Sequence, residues 1–199
     1  MWHAFDDIPA IPGPGPNLRF TRTYLSQATG SGVLGYGWTH NFNQRITTRS
    51  GGVPDVNQVQ DLTFYNDADA PIAISFENGQ PVIPPWERIS LRKESGEFVI
   101  ETFDHTVLRF YGIEVLAGKL KSISDTHGNT MLFEYNSSNQ LSTVTDAVGR
   151  SFFLAYNSDG RLANVSDFTG RKVEFGYDAR GDLTSSKDLR GYLTTYSYF

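Results

Sequence analysis

The chain has 199 residues, a formal net charge of −5 and no cysteine. That length suits one or two domains; the missing cysteines exclude a disulfide framework and a thiolate metal site, and the acidic balance argues against a nucleic-acid binder, which carries a basic patch. Aromatic residues make up 14% of the chain, there are 19 glycines, and no long helix-forming run appears, so the composition reads as all-β.

No apolar run approaches ~20 residues, so no membrane-spanning helix is expected. The opening Met1-Trp2-His3-Ala4-Phe5-Asp6-Asp7 lacks the basic and apolar regions of a secretion signal. Either export takes another route or the chain is a piece of something longer. Residues 1–16 end in Pro12-Gly13-Pro14-Gly15-Pro16, a turn or extended lead-in with no core-forming pattern. Residues 17–25 (NLRFTRTYL) have the β-branched and aromatic content of a strand. Residues 26–37 form a small-residue loop, and 38–42 (WTHNF) a further strand. Gly30-Ser31-Gly32-Val33-Leu34-Gly35 satisfies GxGxxG, but a phosphate loop needs a helix after it, and the residues that follow read as a strand. The loop reading is preferred over nucleotide binding.

Residues 47–119 carry hairpins of decayed periodicity. Strand candidates are 62–65, 72–76, 89–91, 98–100 and 107–111, with turn signals at Asn78-Gly79 and Glu94-Ser95-Gly96. Gly51-Gly52 and Pro84-Pro85 are the expected flexible loops. Asp104 and Gly118 stand one period before the clean repeats and read as a degenerate copy of them.

From residue 120 onward the sequence repeats every 21 positions. Leu120, Leu141, Leu162 and Leu183 share a column. So do Asp125, Asp146, Asp167 and Asp188; Gly128, Gly149, Gly170 and Gly191; and Tyr135, Tyr156, Tyr177 and Tyr198. A fifth column holds Asn139, Gly160 and Gly181. Each block has two turns of one recipe, an Asp or Asn that bonds backbone N–H groups ahead of it and a Gly that takes positive φ. Between them, Met131/Phe133/Tyr135, Phe152/Leu154/Tyr156 and Val173/Phe175/Tyr177 alternate as strands with one face inward. The shorter run, such as Leu141 to Val144, spaces its apolar residues by three and predicts a bulge. Each repeat is therefore two strands and two tight turns, stabilised by stacking on its neighbours. The chain stops at Tyr198-Phe199, mid-unit, which reads as a fragment of a longer array with an unpaired β edge.

Candidate chemistry is sparse. The aspartate column suits a calcium ladder in principle, but each Asp opens a turn ending in Gly, and turn chemistry explains it without a metal. His3, His40, His105 and His127 have no zinc-type spacing. No GxSxG elbow appears, and no carboxylate pair stands out for glycoside hydrolysis. The tyrosine column reads as a core ladder of cross-strand aromatics, with sugar stacking as the other possibility. No catalytic, cofactor-binding or metal residue is assigned, no cofactor is expected, and the chain is read as not an enzyme.

Two stretches carry a family resemblance. Tyr177-Asp178-Ala179-Arg180-Gly181-Asp182-Leu183 resembles the YD repeat of RHS (rearrangement hot spot) proteins; Tyr156-Asn157 through Gly160 to Leu162 has Asn for Asp, and Tyr135-Asn136 to Leu141 has Asn139 for Gly. Independently, Arg22-Thr23-Tyr24, Ser26 and Gly32-Val33-Leu34-Gly35-Tyr36-Gly37-Trp38 resemble the RTY…S and GxLGxGW elements that precede the repeats in that family. The resemblance implies an all-β fold of successive antiparallel hairpins in a spiral sheet, a segment of a hollow shell shared with the C components of bacterial toxin complexes and with teneurins. The implied organisation is a lead-in (1–16), a pre-repeat β region (17–119) and the YD repeats (120–199). In bacterial members such a shell encloses a C-terminal toxin, so the implied role is container wall, secreted or on the cell surface. The implied partners are the rest of a longer chain, including further repeats and the toxin, then secretion-apparatus proteins or cell-surface carbohydrate, with no nucleic acid. A carbohydrate-binding surface module and a glycoside hydrolase are the rival readings.

Overall fold

A computed structural model describes every residue except Met1, Thr29, Val59 and Phe199. The outermost residues of the expected lead-in and of the repeat region thus lie outside the described residues. The protein is all-β, with a single 3-10 turn among the described residues, at Pro85–Glu87. Among the described residues no helix is long and apolar enough to cross a membrane, a statement about helices and not about strands.

Three sheets of three or more strands form in chain order. The first contains β1 (Trp2–Ile11), β2 (Leu18–Leu25) and β5 (Trp38–His40), with a small hairpin of β3 (Ser31–Gly32) and β4 (Gly35–Tyr36) between the last two. The second is a meander of β6 (Arg45–Thr48), β7 (Leu62–Tyr65), β8 (Pro71–Glu77) and β9 (Gln80–Val82). The third has eleven strands in sequence order: β10 (Ile89–Glu94), β11 (Glu97–Thr102), β12 (Val107–Tyr111), β13 (Leu120–Ser124), β14 (Thr130–Tyr135), β15 (Leu141–Thr145), β16 (Ser151–Tyr156), β17 (Leu162–Ser166), β18 (Lys172–Tyr177), β19 (Leu183–Lys187) and β20 (Leu193–Thr195). Every neighbouring pair is antiparallel.

The repeat is legible in atomic terms. In the 125–129 turn the Asp125 carboxylate accepts the backbone N–H of His127 at 2.8 Å and of Asn129 at 2.9 Å. Asp146, Asp167 and Asp188 accept the same two amides, two and four residues on. Asn136, Asn157 and Asp178 do likewise in the alternate turns. The turn-closing residues take the left-handed conformation, with φ +85° at Gly149, +76° at Gly160 and +59° at Asn139. A side chain raises the cost of that conformation, and Asn tolerates it better than most.

The three-residue apolar spacing has a definite cause. In β14–β15 the register runs Glu134↔Thr143, then Tyr135↔Leu141, so Ser142 is an extra residue bulged out of the ladder. The same shift recurs before Leu162 and Leu183. The bulge turns Leu141 and Val144 to the same face, where both are buried. On the longer strands Met131/Phe133, Phe152/Leu154 and Val173/Phe175 are buried, while Leu132 and Phe153, on the opposite face, stay about half exposed.

Several elements depart from the sequence-based expectation. Residues 2–11 form a ten-residue strand where an unpatterned lead-in was expected. Only Ile8 of that strand is fully buried, so its apolar signal is weak. What holds it is pairing to β2 through two register shifts, with Pro9 on the sheet edge, where a missing N–H costs least. The 26–37 loop contains the β3–β4 hairpin, and Leu34 within it is fully buried. Strands β6 and β9 carried no sequence signal strong enough to be singled out. Pro85 begins the 3-10 turn, whose first position suits proline's fixed φ. The supposed degenerate copy is out of phase: Thr102, not Asp104, opens the turn, its N–H bonding the Thr106 carbonyl at 3.0 Å, and His105 takes the positive φ of +62° where glycine stands elsewhere. Gly118 does share the φ sign of its column, at +81°.

These carboxylates bear on pH stability. Burial acts to raise the pKa of Asp146 and Asp167, but the turn amides, the Thr169 hydroxyl and the Arg150 and Arg171 side chains outweigh it and hold both below the ordinary 3.8. A depressed native pKa adds stability that is fully present above the unfolded value and is lost as pH falls below it. Acid unfolding of the chain should therefore be steep below about pH 4, and the double substitution Asp146→Asn with Asp167→Asn should flatten that limb in a pH series of urea melts.

Candidate functional site

The region where chemically distinctive side chains converge is a seam. The N-terminal three-stranded sheet lies as a cap against the inner face of the repeat sheet. Phe20 of β2 meets Phe175 of β18 at 6.3 Å between ring centroids, and Phe42 meets Phe133 at 5.7 Å. Both sides contribute apolar area to one continuous core, which is the dominant favourable term in such a contact.

Arg22 is the centre of this seam. Its side chain is 1% exposed, an unusual place for a guanidinium. Its Nε and Nη2 donate to the Asp7 carboxylate of β1, the second bond at 2.9 Å. Nη2 also donates to Ser186 Oγ of β19 and to the Tyr196 hydroxyl, both at 3.2 Å. The guanidinium carbon lies 5.0 Å from the Trp38 and Phe175 ring centroids and 5.5 Å from that of Phe5. Burial works against the charge, but the hydrogen bonds and charge of Asp7 outweigh it and push the Arg22 pKa up. The cation is thus held by a bidentate carboxylate and surrounded by aromatic faces, the arrangement for which arginine is better suited than lysine.

The rest of the pre-repeat motif serves the same seam. Trp38 Nε1 donates to the Tyr198 hydroxyl at 2.8 Å, and Tyr24 packs on Trp38 at 5.1 Å. The β3–β4 hairpin docks on the repeats by backbone: the Leu162 N–H donates to the Val33 carbonyl at 2.8 Å, and Arg161 Nη1 donates to Ser31 Oγ at 3.0 Å. Gly35, at φ +93°, lies so close to the next turn that a Cβ there would sit 2.7 Å from the Gly181 carbonyl oxygen. The GxGxxG match therefore marks a close backbone contact, not a phosphate cradle.

The tyrosine column forms the other half of the site. Tyr135, Tyr156 and Tyr177 are partly buried and packed against the core. Each phenol donates to the carbonyl of the leucine fifteen residues earlier: Tyr135 to Leu120 at 2.7 Å, Tyr156 to Leu141 at 2.8 Å, Tyr177 to Leu162 at 2.7 Å and Tyr198 to Leu183 at 2.5 Å. Burial pushes all four phenol pKa values up. The expected aromatic ladder is replaced by these bonds; the ring contacts recorded for the column are with Tyr111 and Tyr24, each at 6.2 Å. Tyr198 is 42% exposed.

The remaining singled-out positions fall into two groups. Leu120, Leu141, Leu162 and Leu183 are buried at the foot of the short strands. Gly128, Gly149, Gly170, Gly191, Gly160 and Gly181 close turns at the sheet rims with positive φ. Sequence reasoning did not single out Arg22 for a role, because a lone arginine in a strand carries no sign of its burial. His40, which stands beside Trp38 in the sequence and reads there as a packed or surface histidine sooner than a ligand contact, is buried, and its pKa is pulled down to about 4 by burial and by Arg45. Among the described residues no cluster of three or more His, Asp or Glu side chains is arranged to hold a metal ion.

Comparison with known proteins agrees with this architecture. Residues 3–69 match the model of a domain of unknown function (DUF6531), and residues 156–193 match the RHS repeat. The chain is similar to the tRNA3(Ser)-specific nuclease WapA of Bacillus spizizenii and to the tRNA nuclease WapA of Bacillus subtilis, 29% identical over 136 residues in each case. Those matches cover 67% of this chain but 5% of the length of each relative. With the motif in phase through the eleven-stranded sheet, the chain carries RHS, or YD, repeats.

Two substitutions test the seam. Arg22→Met leaves the Asp7 carboxylate buried without its partner and should cost about 3–5 kcal/mol in urea unfolding, while adding Asp7→Asn should recover much of the loss. A single variant within about 0.5 kcal/mol of the parent would show that the pair is not a structural lock. Tyr156→Phe removes one phenol bond and should cost about 1 kcal/mol by the same measurement.

Proposed function

We propose that this chain is a non-catalytic structural segment of an RHS/YD-repeat shell, which encloses and helps deliver a C-terminal toxin in bacterial competition or virulence. The observation that carries the proposal is the unbroken run of eleven antiparallel strands with one apolar inner face and a cap seated on it. Such a sheet extends by adding identical units, each supported by its neighbours. In this reading the columns at Leu120, Asp125, Gly128 and Tyr135, and their equivalents through Tyr198, are wall positions that fix strand spacing and curvature. Residues 1–16 and 17–119 supply the cap and the start of the wall, and 120–199 the repeats.

Polar groups of the repeats are spent on the wall itself. The turn carboxylates accept backbone amides, and the phenols donate to backbone carbonyls. The groove between β1 and the repeat turns, about 680 Å³, is lined by three aspartates, yet each is engaged: Asp6 by Thr21, Asp7 by Arg22, and Asp188 by the amides of Arg190 and Tyr192. That supports a wall over a glycoside hydrolase. A sugar-stacking surface calls for open tyrosine faces, whereas Tyr135, Tyr156 and Tyr177 pack on the core, so the wall reading is also favoured over a carbohydrate-binding module. The relatives' tRNA cleavage belongs to proteins of which this chain matches a small part. On this proposal a nuclease of that kind is the cargo, separate from the wall, and the assembled product is secreted or held at the cell surface.

The whole gene product gives the test. Electron cryomicroscopy should show a closed hollow shell with the C-terminal segment inside, and limited proteolysis should spare that segment until the shell is denatured. A C-terminal segment cleaved at the same rate with and without the repeats would overturn the proposal.

A further inference from the structure

The four repeats that begin at Leu120, Leu141, Leu162 and Leu183 are not equivalent on their inner face. One inward column reads Ile123, Val144, Val165 and then Ser186; another reads Phe133, Leu154, Phe175 and then Tyr196. In the first three repeats both positions are apolar, and Val144, Val165, Phe133, Leu154 and Phe175 are buried. Only the fourth repeat substitutes hydroxyls. A third column, Met131, Phe152, Val173 and Thr194, also turns polar there, but Thr194 is exposed and water accounts for it. Ser186 is 7% exposed, so water does not account for Ser186.

What the two hydroxyls meet is Arg22. Its Nη2 donates to Ser186 Oγ and to the Tyr196 hydroxyl, both at 3.2 Å, and those two oxygens lie 2.8 Å from each other. The guanidinium carbon stands 5.7 Å from the Tyr196 ring centroid. Nη1 is buried with no hydrogen-bond partner, so acceptors at this seat are already in short supply. A buried donor left without an acceptor carries its full desolvation cost. Backbone contacts do not tell one repeat from the next: the bulge before Leu162, where the β3–β4 hairpin docks, recurs before Leu141 and Leu183. A cap seated one repeat earlier, two strand spacings or about 10 Å away, would set Arg22 against Val165 and Phe175, with no hydroxyl at either position.

We infer that Ser186 and Tyr196 are the specificity-determining residues of the seam: their hydroxyls recognise the Arg22 cation and assign the cap its place on the repeat array. Attraction at the fourth repeat is matched by a penalty at the others, since their apolar columns offer a buried guanidinium no acceptor. The two polar exceptions thus give an otherwise uniform array one address. The inference does not rest on the container reading, since it concerns only how the two parts of this chain find each other.

A mutant cycle in the 199-residue chain, read by urea unfolding, tests it. Ser186→Val with Tyr196→Phe restores the residue types of the two columns and removes both hydroxyls together, so neither is left behind without the other. In the parent this pair should lower the ratio of folded to unfolded protein by about tenfold or more. In an Asp7→Asn, Arg22→Met background, which has no buried cation, the same pair should leave the ratio unchanged or raise it, because it then only adds apolar burial. Ser186→Ala and Tyr196→Phe taken singly should each couple to Arg22 with the same sign, and they carry the test if the paired substitution prevents folding. A pair that is neutral or stabilising in the parent would overturn the inference. So would a loss at least as large in the background without the cation, which would make the hydroxyls partners of each other and not of Arg22.

Discussion

The structure depends on one recurrent bond, a tyrosine phenol donated to a leucine carbonyl fifteen residues earlier. A β-bulge beside each leucine makes the bond geometrically available. The bulge lifts one residue out of the ladder, frees that carbonyl to face inward, and increases local twist. The next tyrosine then reaches over it from the following repeat. The interaction is local to a pair of repeats, yet it recurs with the sequence period, so it ties each repeat to the one before it along the sheet. A hairpin alone is marginal in water. Here each is tied to its predecessor through side chain and backbone together.

A sheet with one apolar face must still cover that face, and the cap does so. The residues that secure it come from opposite ends of the chain. Arg22 reaches Ser186 and Tyr196, Trp38 reaches Tyr198, and Arg161 reaches Ser31. Contacts of such separation must overcome a loop-closure entropy that local hairpin pairing avoids. Hairpin pairing in the repeats is thus expected to precede docking of the cap. The buried ion pair at Arg22 is a poor source of net stability compared with an apolar replacement. Its value lies in fixing where the cap sits, since the guanidinium is held at once by Asp7, Ser186 and Tyr196 and enclosed by the rings of Phe5, Trp38 and Phe175.

How much of this could be read in advance depended on whether a feature was local. The turns were legible because an Asp or Asn followed by Gly acts within five residues, as at 146–150. The hairpins at Asn78-Gly79 and Ser95-Gly96 were legible for the same reason, and both pairs have positive φ as a type I′ turn requires. The inward face of the long strands followed from period two, and the bulge from the three-residue spacing of Leu141 and Val144. Strand β1 escaped because its support is pairing, not pattern. The tyrosines were recognised as a column, but their partner is a backbone carbonyl in another repeat, which no residue type announces. Arg22 escaped for the same reason: Ser186 and Tyr196, which help enclose it, lie more than a hundred residues away. The family motif around Arg22-Thr23-Tyr24 and Gly32 to Trp38 marked the right residues without saying what they touch.

Native-state hydrogen exchange measures the central claim, that cap and repeats form one cooperative unit through the seam. The amides of β2 and β5 should exchange with the same opening free energy as those of β16 to β19, and Arg22→Met should lower both together. Cap amides that exchange through a separate, easier opening, while the repeat amides keep their protection in both proteins, would contradict the account.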